Sequence, residues 1–349
     1  MKKYTAPRIL GGSVLSMLIR RYGNCKAQET ITAEVLSKLI SCPPYTISRS
    51  FIDGKVRRLD IPSKELKMVL RVILKNVFDY FGVSGFAHGG VCEKSIVTNT
   101  EIHFGAKSVF KIDFRHYYPS ITEKMVTSCL AELLVKNIGC IATLENCGMY
   151  SFREARGLAK IIGRLATHEG ILPQGAPTSS CLQNLIFRDL DEKIAKVAGK
   201  YFLRYTRFID DLTFSSAWPE ISQSALNEIT ALIKNETGGF LKLNRKKIRY
   251  RKGKREVHKI TGVTIVPMMD GTSKTSLARK QIERYRSVLH LASLGRVSTD
   301  QAWGVIAFVK MVCRRGIPNR LRKPFTQFLA NCYPDSWDRR IEPYKDWLQ

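Results

Sequence analysis

The sequence predicts an α+β protein, and three observations predict it. Val109 to Phe114 reads as a buried strand. Tyr201 to Phe208 and Leu212 to Ser215 read as two more strands, joined by Ile209-Asp210-Asp211. Around them, apolar residues recur at helical spacing, most clearly at Leu66, Val69, Leu70, Ile73, Leu74 and Val77.

Each element follows from local signals. Gly12 to Arg21 and Thr32 to Ile40 form short helices that stop at Cys42-Pro43-Pro44, so residues 1–50 are an N-terminal helical segment. Ile61-Pro62-Ser63 starts a long helix, Lys64 to Phe81, before a glycine-rich stretch from Gly82 to Gly90. After the 109–114 strand, Ser120-Ile121-Thr122-Glu123 fits a capping box, and Val126, Leu130, Leu133 and Leu134 supply the stripe of the helix that follows. One helix is predicted over Ser179 to Lys196, another over Ile221 to Lys234, and a strand over Ile260 to Val266. The turn composition of Met268 to Ser273 marks a boundary near residue 270, beyond which the chain reads as helical and basic.

Composition narrows the function. At 349 residues the chain exceeds a typical single domain, so two or three subdomains sharing a core are expected. Lys plus Arg number 57 against 30 Asp plus Glu, a net charge of +27 that suits a polyanionic partner. From Lys242 to Lys259 there are ten basic residues and one acid, and from Gly271 to Gln349 fifteen basic and six acidic. Binding through such surfaces is strongly salt-dependent. Tyr250, Tyr285, Trp303, Trp337 and Tyr344 lie near this charge as stacking surfaces or as core. No apolar run reaches the length of a membrane span, and no long apolar run follows Lys2 and Lys3, so neither membrane partner nor leader is expected. The nine cysteines include no CxxC pair and read mostly as small buried residues in a reducing cytoplasm.

The carboxylates carry the chemistry. Asp210 and Asp211 sit side by side in the apolar run Phe208 to Phe214, where like charge and lost hydration are unfavourable unless cations neutralise them. An exposed Asp-Asp turn is the plainer alternative. Asp113 ends the 109–114 strand, with helix capping as its plainer role. Together the three offer ligands for two Mg²⁺ ions, which hold an attacking hydroxyl and a leaving pyrophosphate in line with the metals about 4 Å apart. Between these elements lies Leu172 to Ser180, in which Gly175 and Ala176 allow a backbone to approach a base or sugar, and Thr178 and the serines cap the next helix.

In this order, the Asp113 strand, Gln174-Gly175-Ala176-Pro177-Thr178-Ser179 and Phe208-Ile209-Asp210-Asp211 resemble the A, B and C motifs of reverse transcriptases. Phe208 stands where the third motif usually has Tyr. Asn99-Thr100-Glu101-Ile102-His103 resembles the Asn-Ala-x-x-His signature of bacterial retron enzymes, with Thr100 for Ala, and Ile260-Thr261-Gly262 resembles their Val-Thr-Gly. Ala87-His88-Gly89-Gly90 and Arg204-Tyr205-Thr206-Arg207 are similar to the same group.

The resemblance implies a right-hand polymerase fold: fingers and palm over 51–270, the palm an antiparallel sheet plus helices, and a helical basic thumb over 271–349. It implies an RNA-directed DNA polymerase that uses deoxynucleoside triphosphates and two Mg²⁺ ions held by Asp113, Asp210 and Asp211. The template and primer is a structured non-coding RNA, and synthesis from a guanosine 2′-hydroxyl leaves branched, RNA-linked single-stranded DNA. The setting is the bacterial cytoplasm and defence against phage, with a separate effector protein. By the same resemblance Tyr118 is an aromatic gate against ribose, or core. Lys247, or equally Lys246, meets the triphosphate. Gln174 and Gly175 line the nucleotide site, and Arg58 grips triphosphate or is a solvated charge. Asn99 and His103 contact RNA by that resemblance, and the positive excess over 271–349 gives the same role to the thumb residues Arg314, Arg315, Arg320 and Arg322. The rivals are a group II intron-like or diversity-generating reverse transcriptase, the former disfavoured by the short chain, and a non-catalytic RNA-binding scaffold, disfavoured by the intact aspartates.

Overall fold

The computed structural model describes residues 12–52, 55–244, 249–252, 257–334 and 341–348. Helix α1 (Gly12–Tyr22) buries Val14, Leu15, Leu18 and Ile19. Asn24 caps α2 (Cys25–Thr30) and Thr32 caps α3 (Ala33–Ser41), their side-chain oxygens accepting from Ala27 N and Val35 N. Strand β1 (Tyr45–Ile52) pairs antiparallel with β2 (Lys55–Pro62). This hairpin begins within the segment expected to be helical; Thr46-Ile47-Ser48-Arg49-Ser50 lacks the apolar run that marks a buried strand, and Ile47 and Phe51 are exposed.

Ser63 caps α4 (Lys64–Asn76), which stops before the expected Phe81 and gives way to a 3₁₀ turn at Phe78–Tyr80. Helix α5 (Ile96–Glu101) opens on a reciprocal cap between Ser95 and Thr98. Strand β3 (Ser108–Arg115) covers the predicted one. The single turn α6 (Tyr117–Ser120) consumes Ser120, whose hydroxyl donates to His116 O. The cap of α7 (Glu123–Lys136) is therefore Thr122, accepting from Met125 N, rather than Ser120. Next come α8 (Ala142–Glu145) and α9 (Phe152–Ala166), the latter with a full capping box of Ser151 and Glu154. The helix expected over 179–196 is two, α10 (Ser179–Ile186) and α11 (Arg188–Lys200). A turn at Phe187, whose ring is buried against Tyr117, separates them.

Strands β4 (Arg204–Phe208) and β5 (Asp211–Ser216) form the predicted hairpin and precede α12 (Gln223–Glu236), β6 (Lys242–Leu243) and β7 (Arg249–Lys252). The strand expected over 260–266 is itself a hairpin. β8 (His258–Ile260) turns at Thr261-Gly262, at φ 44° and 88°, into β9 (Val263–Pro267), which then pairs with β10 (Ser273–Ser276). Helices α13 (Arg279–Ser293), α14 (Thr299–Val312) and α15 (Asn319–Cys332) follow as predicted.

The chain divides into two compact units, each discontinuous in sequence. The first comprises residues 1–91, 114–193 and 232–243, the second 92–113, 194–231 and 244–349. In the first unit α7 and α9 pack so closely that a Cβ on Gly163 would lie 2.2 Å from Thr127 Oγ1. In the second unit β3 pairs with β5 on one side and β7 on the other, and β4 extends the sheet beyond β5. The C-terminal helices share a core that includes Leu289, Ile306, Val309, Leu321, Phe325 and Phe328, each burial stabilising by about 1.5–3 kcal/mol. Tyr285, Trp303 and Tyr344 pack against that core, and Trp303 Nε1 donates to Tyr333 OH at 3.0 Å. Trp337 and the Tyr250 side chain lie outside the described residues.

The cysteines depart from expectation: Cys147 and Cys313 are buried, whereas Cys25, Cys42, Cys92 and Cys140 are exposed. Among the described residues no helix is long and apolar enough to cross a membrane.

Candidate active site

The register of the second unit's sheet sets the carboxylates. Along β3 and β5 the Cα partners run from Ser108 opposite Ser216 to Asp113 opposite Asp211. Directly opposed residues of an antiparallel pair share a face, with Cβ atoms about 4.5–5.5 Å apart. Asp113 and Asp211 are thus immediate cross-strand neighbours, both half-buried. The β4–β5 hairpin closes at Phe208 opposite Asp211, so Ile209 and Asp210 form a two-residue turn. Ile209 has φ 59°. A positive φ at the first central residue belongs to type II′ turns, where glycine is the usual occupant. A β-branched residue there is strained, by about 1–3 kcal/mol.

Two polar side chains brace this corner. Asn244 binds Asp113 twice, its backbone N–H donating to Asp113 O at 2.8 Å and its amide Nδ2 to Asp113 Oδ1 at 3.1 Å. Buried Arg207 donates to Ile209 O at 3.0 Å, holding the turn from behind. Sequence reading missed both roles. The signals were an asparagine placed just before a run of basic residues, and Arg207 in the Arg204-Tyr205-Thr206-Arg207 segment, to which no role was given.

Opposed carboxylates repel, and a cation relieves that repulsion. Their hard oxygens suit Mg²⁺, which binds through one or two carboxylates completed by water and substrate phosphates rather than through a full protein cage. Among the described residues no three His, Cys, Asp or Glu side chains converge as a ready cation cage. The two opposed carboxylates of Asp113 and Asp211 are hard oxygen donors of the kind Mg²⁺ takes.

Asn99 and His103, expected against RNA, are both 0% exposed and offer RNA no surface. Asn99 Nδ2 reaches Thr261 Oγ1 at 3.4 Å, joining α5 to the β8–β9 turn, so the two signatures read separately in the sequence meet inside the protein. His103 bridges strands: Nδ1 lies 2.6 Å from Ser215 Oγ and Nε2 2.8 Å from Thr206 Oγ1.

Other predicted residues lie in the first unit. Arg58 is tied to Asp60 through Nε and Nη2, at 2.9 and 2.7 Å, and to Glu169 at 2.7 Å, so it is neither isolated nor simply solvated. Asp60 also meets His168 Nδ1 at 2.7 Å, and its backbone N–H donates to Gln174 O at 2.9 Å. The negative charge of Asp60, together with burial as the larger cause, pushes the Tyr45 hydroxyl well above the usual phenol range. Gly175 has φ 131°, and a Cβ there would lie 3.0 Å from Asp60 O. The close approach visible at Gly175 is thus to the protein's own β2. Thr178 makes no side-chain cap, in contrast to expectation; instead Ser179 Oγ donates to Pro173 O at 2.7 Å and closes the loop. Tyr117 is the core aromatic, its hydroxyl donating to Gln183 Oε1 at 2.5 Å, while Tyr118 stands edge-on to it and half-exposed. Lys246 and Lys247 lie outside the described residues.

The thumb arginines divide. Arg314 pairs with Glu101 at 3.5 Å and Arg320 with Glu283 at 2.6 Å, and Arg315 donates to Thr272 Oγ1 at 3.4 Å; all three are exposed. Arg322 is half-buried. Arg320 also lines an open groove of about 810 Å³ between α13 and α15, with Arg284, Arg286, His290 and Lys323.

The family described as reverse transcriptase (RNA-dependent DNA polymerase) matches residues 49–265. Retron Mx162 reverse transcriptase of Myxococcus xanthus is 30% identical, over 74% of this chain and 56% of that protein. Retron Mx65 reverse transcriptase of the same organism is 32% identical over 74% and 59%, and retron Ec86 reverse transcriptase of Escherichia coli 28% over 77% and 75%. The chain thus spans little more than half the length of the two Myxococcus relatives. Among solved structures, telomerase from Candida albicans in complex with a telomeric RNA fragment aligns over 89% of this chain and 57% of that one, at TM-score 0.48 and 11% identity.

Proposed function

The chain belongs to the reverse transcriptase family, and from that premise we propose that it is a retron-type RNA-directed DNA polymerase, copying a structured non-coding RNA into single-stranded DNA joined to that RNA. The observation that carries this reading is the register that sets Asp113 opposite Asp211, one residue from Asp210 in the turn. The retron names of the similar proteins support the choice of template. On this reading residues 51–270 act as fingers and palm, 271–349 as thumb, and 1–50 as an N-terminal addition whose helices span Gly12–Ser41, in a bacterial cytoplasm.

Asp113, Asp210 and Asp211 hold two Mg²⁺ ions, and Asn244 fixes the orientation of Asp113. When bound, the ions supply Lewis-acid stabilisation of the attacking hydroxyl and of the departing pyrophosphate. Gln174, Gly175, Arg58 and one of Lys246 and Lys247 serve the incoming deoxynucleoside triphosphate. Arg58 reaches it by exchanging Glu169, its exposed partner, for phosphate oxygens, with Asp60 keeping the guanidinium in place.

Tyr118, half-exposed beside the buried Tyr117, is the gate against the ribose 2′-hydroxyl. Tyr118→Ala is expected to raise ribonucleotide relative to deoxyribonucleotide incorporation by about tenfold or more, since a steric clash of one hydroxyl is worth ~1–3 kcal/mol. Rates for both nucleotides on one template check this, and an unchanged ratio makes Tyr118 a packing residue.

The reading as a whole is tested by expressing the chain with the non-coding RNA encoded beside its gene. DNA covalently joined to that RNA is expected, sensitive to nucleases at the branch. No phage protection is expected from this pair alone, because defence rests on a separate effector. Absence of RNA-linked DNA while generic primers are extended would leave a reverse transcriptase of another kind; protection from the pair alone would sink the separate effector.

A further inference from the structure

The groove between α13 and α15, the Asp60 cluster and the buried His103 are the strongest features beyond the carboxylates. His103 carries an inference furthest. It follows α5 in a turn and is wholly buried. Its ring touches both strands of the hairpin whose turn bears Asp210: Thr206 on β4 and Ser215 on β5. The strand register pairs Arg204 with Ser215 and Thr206 with Thr213, so all four side chains leave the same face of the hairpin, the face that also presents Asp211. On that face the same turn makes a third attachment, Arg204 Nη1 donating to Phe104 O at 2.6 Å. A neutral imidazole donates from one ring nitrogen and accepts at the other, so one side chain satisfies two hydroxyls that differ in role.

The hairpin needs such an anchor. Its turn places Ile209 in the strained left-handed region, and a strained turn persists only where its surroundings over-determine it. Arg207 holds the turn from the opposite face, and β3 pairs with β5 but leaves β4 at the edge of the sheet. A bond from outside to both strands fixes β4 against β5 and hence the placement of Asp210 relative to Asp211 and Asp113.

We propose that His103 is a positioning residue for the carboxylate hairpin, pinning β4 to β5 so that Asp210 and Asp211 present a fixed pair of ligands, rather than a reader of RNA. The proposal rests on the reading of those aspartates as Mg²⁺ ligands. Groups that orient metal-binding side chains alter metal affinity or activity by about 10–100-fold when removed.

The test uses the full chain and four variants: His103→Ala, the near-isosteric pair Thr206→Val with Ser215→Ala, their combination, and His103→Asn. Two quantities are measured, the rate of extension on a generic annealed primer and the Mg²⁺ concentration at half-maximal thermal stabilisation. The latter requires no activity. His103→Ala is expected to lower kcat by about 10–100-fold with dNTP KM changed less, and to raise the Mg²⁺ midpoint by about tenfold. The hydroxyl pair should reproduce both effects, and the combination should add little, because all three changes break the same bonds. Cognate RNA and generic primer should suffer equally. His103→Asn, which keeps an amide near Nδ1, should recover part of the loss.

Loss on cognate RNA alone would overturn the pin in favour of RNA reading. An unshifted Mg²⁺ midpoint in both His103→Ala and the hydroxyl pair would overturn it as well. Should His103→Ala fail to fold, the hydroxyl pair decides by the same two measurements. Should the wild-type chain extend no primer, the polymerase reading fails, while the Mg²⁺ midpoints still judge the pin.

Discussion

Asp210→Asn is expected to lower DNA synthesis by about a thousandfold or more while RNA binding stays within about twofold. Asparagine keeps the volume of the side chain and removes the charge that would hold a cation. Stabilisation of a transferring phosphoryl group by bound metal is worth several kcal/mol, and ~4 kcal/mol is about three powers of ten in rate. The turn itself should survive, because Phe208 still pairs with Asp211 and Arg207 still holds Ile209 O. Single-turnover primer extension in Mg²⁺ measures the first quantity and equilibrium binding of the non-coding RNA the second. Extension within tenfold of wild type would remove Asp210 from the ligand set, whereas a parallel loss of RNA binding would indicate damage to the fold.

The second large effect is expected in the groove between α13 and α15. Arg284, Arg286 and Lys323 are exposed along it beside Arg320 and His290, with Glu283 the acidic residue among its lining. A stretch of cationic side chains on two packed helices suits a phosphate backbone, which fixes register while unpaired bases supply specificity. Replacing Arg284, Arg286, Arg320 and Lys323 together by Ala should flatten the dependence of log K on log salt by roughly 3 to 3.5, since each phosphate contact contributes about 0.7–0.9. Affinity at moderate salt should fall by about a hundredfold. The helix core should stand, because Leu321, Phe325 and Phe328 on α15 are untouched. Titrations of the non-coding RNA at four or five salt concentrations give both numbers; an unchanged slope would place the RNA elsewhere. Replacing Arg314, Arg315 and Arg322 should matter less, since none of the three lines the groove and Arg322 is half-buried.

Several elements were legible because their signals are local. The β4–β5 hairpin stands where an apolar, strand-forming run flanks Ile209-Asp210-Asp211, and helices fill the chain after residue 277 as expected. Errors fell where two local solutions compete. Ser120 and Thr122 are both good caps, and the one-turn α6 decided between them. Phe187 suits a helix interior by propensity, yet the division between α10 and α11 falls at it, with its ring packed on Tyr117. β1 was hidden because a hairpin exposed on both faces lacks the apolar run of a buried strand.

By itself the sequence determined which chemistry is present: three aspartates in strand and turn, a Gln-Gly-Ala-Pro loop, a basic C-terminal third, and the order in which they occur. Those follow from residue identity and spacing along the chain. Only the tertiary structure decided partnership. It set Asp113 opposite Asp211 and Asn244 on Asp113, put Glu169 and Asp60 on Arg58, and buried Asn99 and His103 inside the protein instead of on its surface. Each of these contacts except that of Arg58 with Asp60 joins residues far apart in the chain, where no periodicity links them. Such contacts are fixed by the packing of whole strands and helices, in which a register shift of one residue would turn every side chain of β5 to the other face.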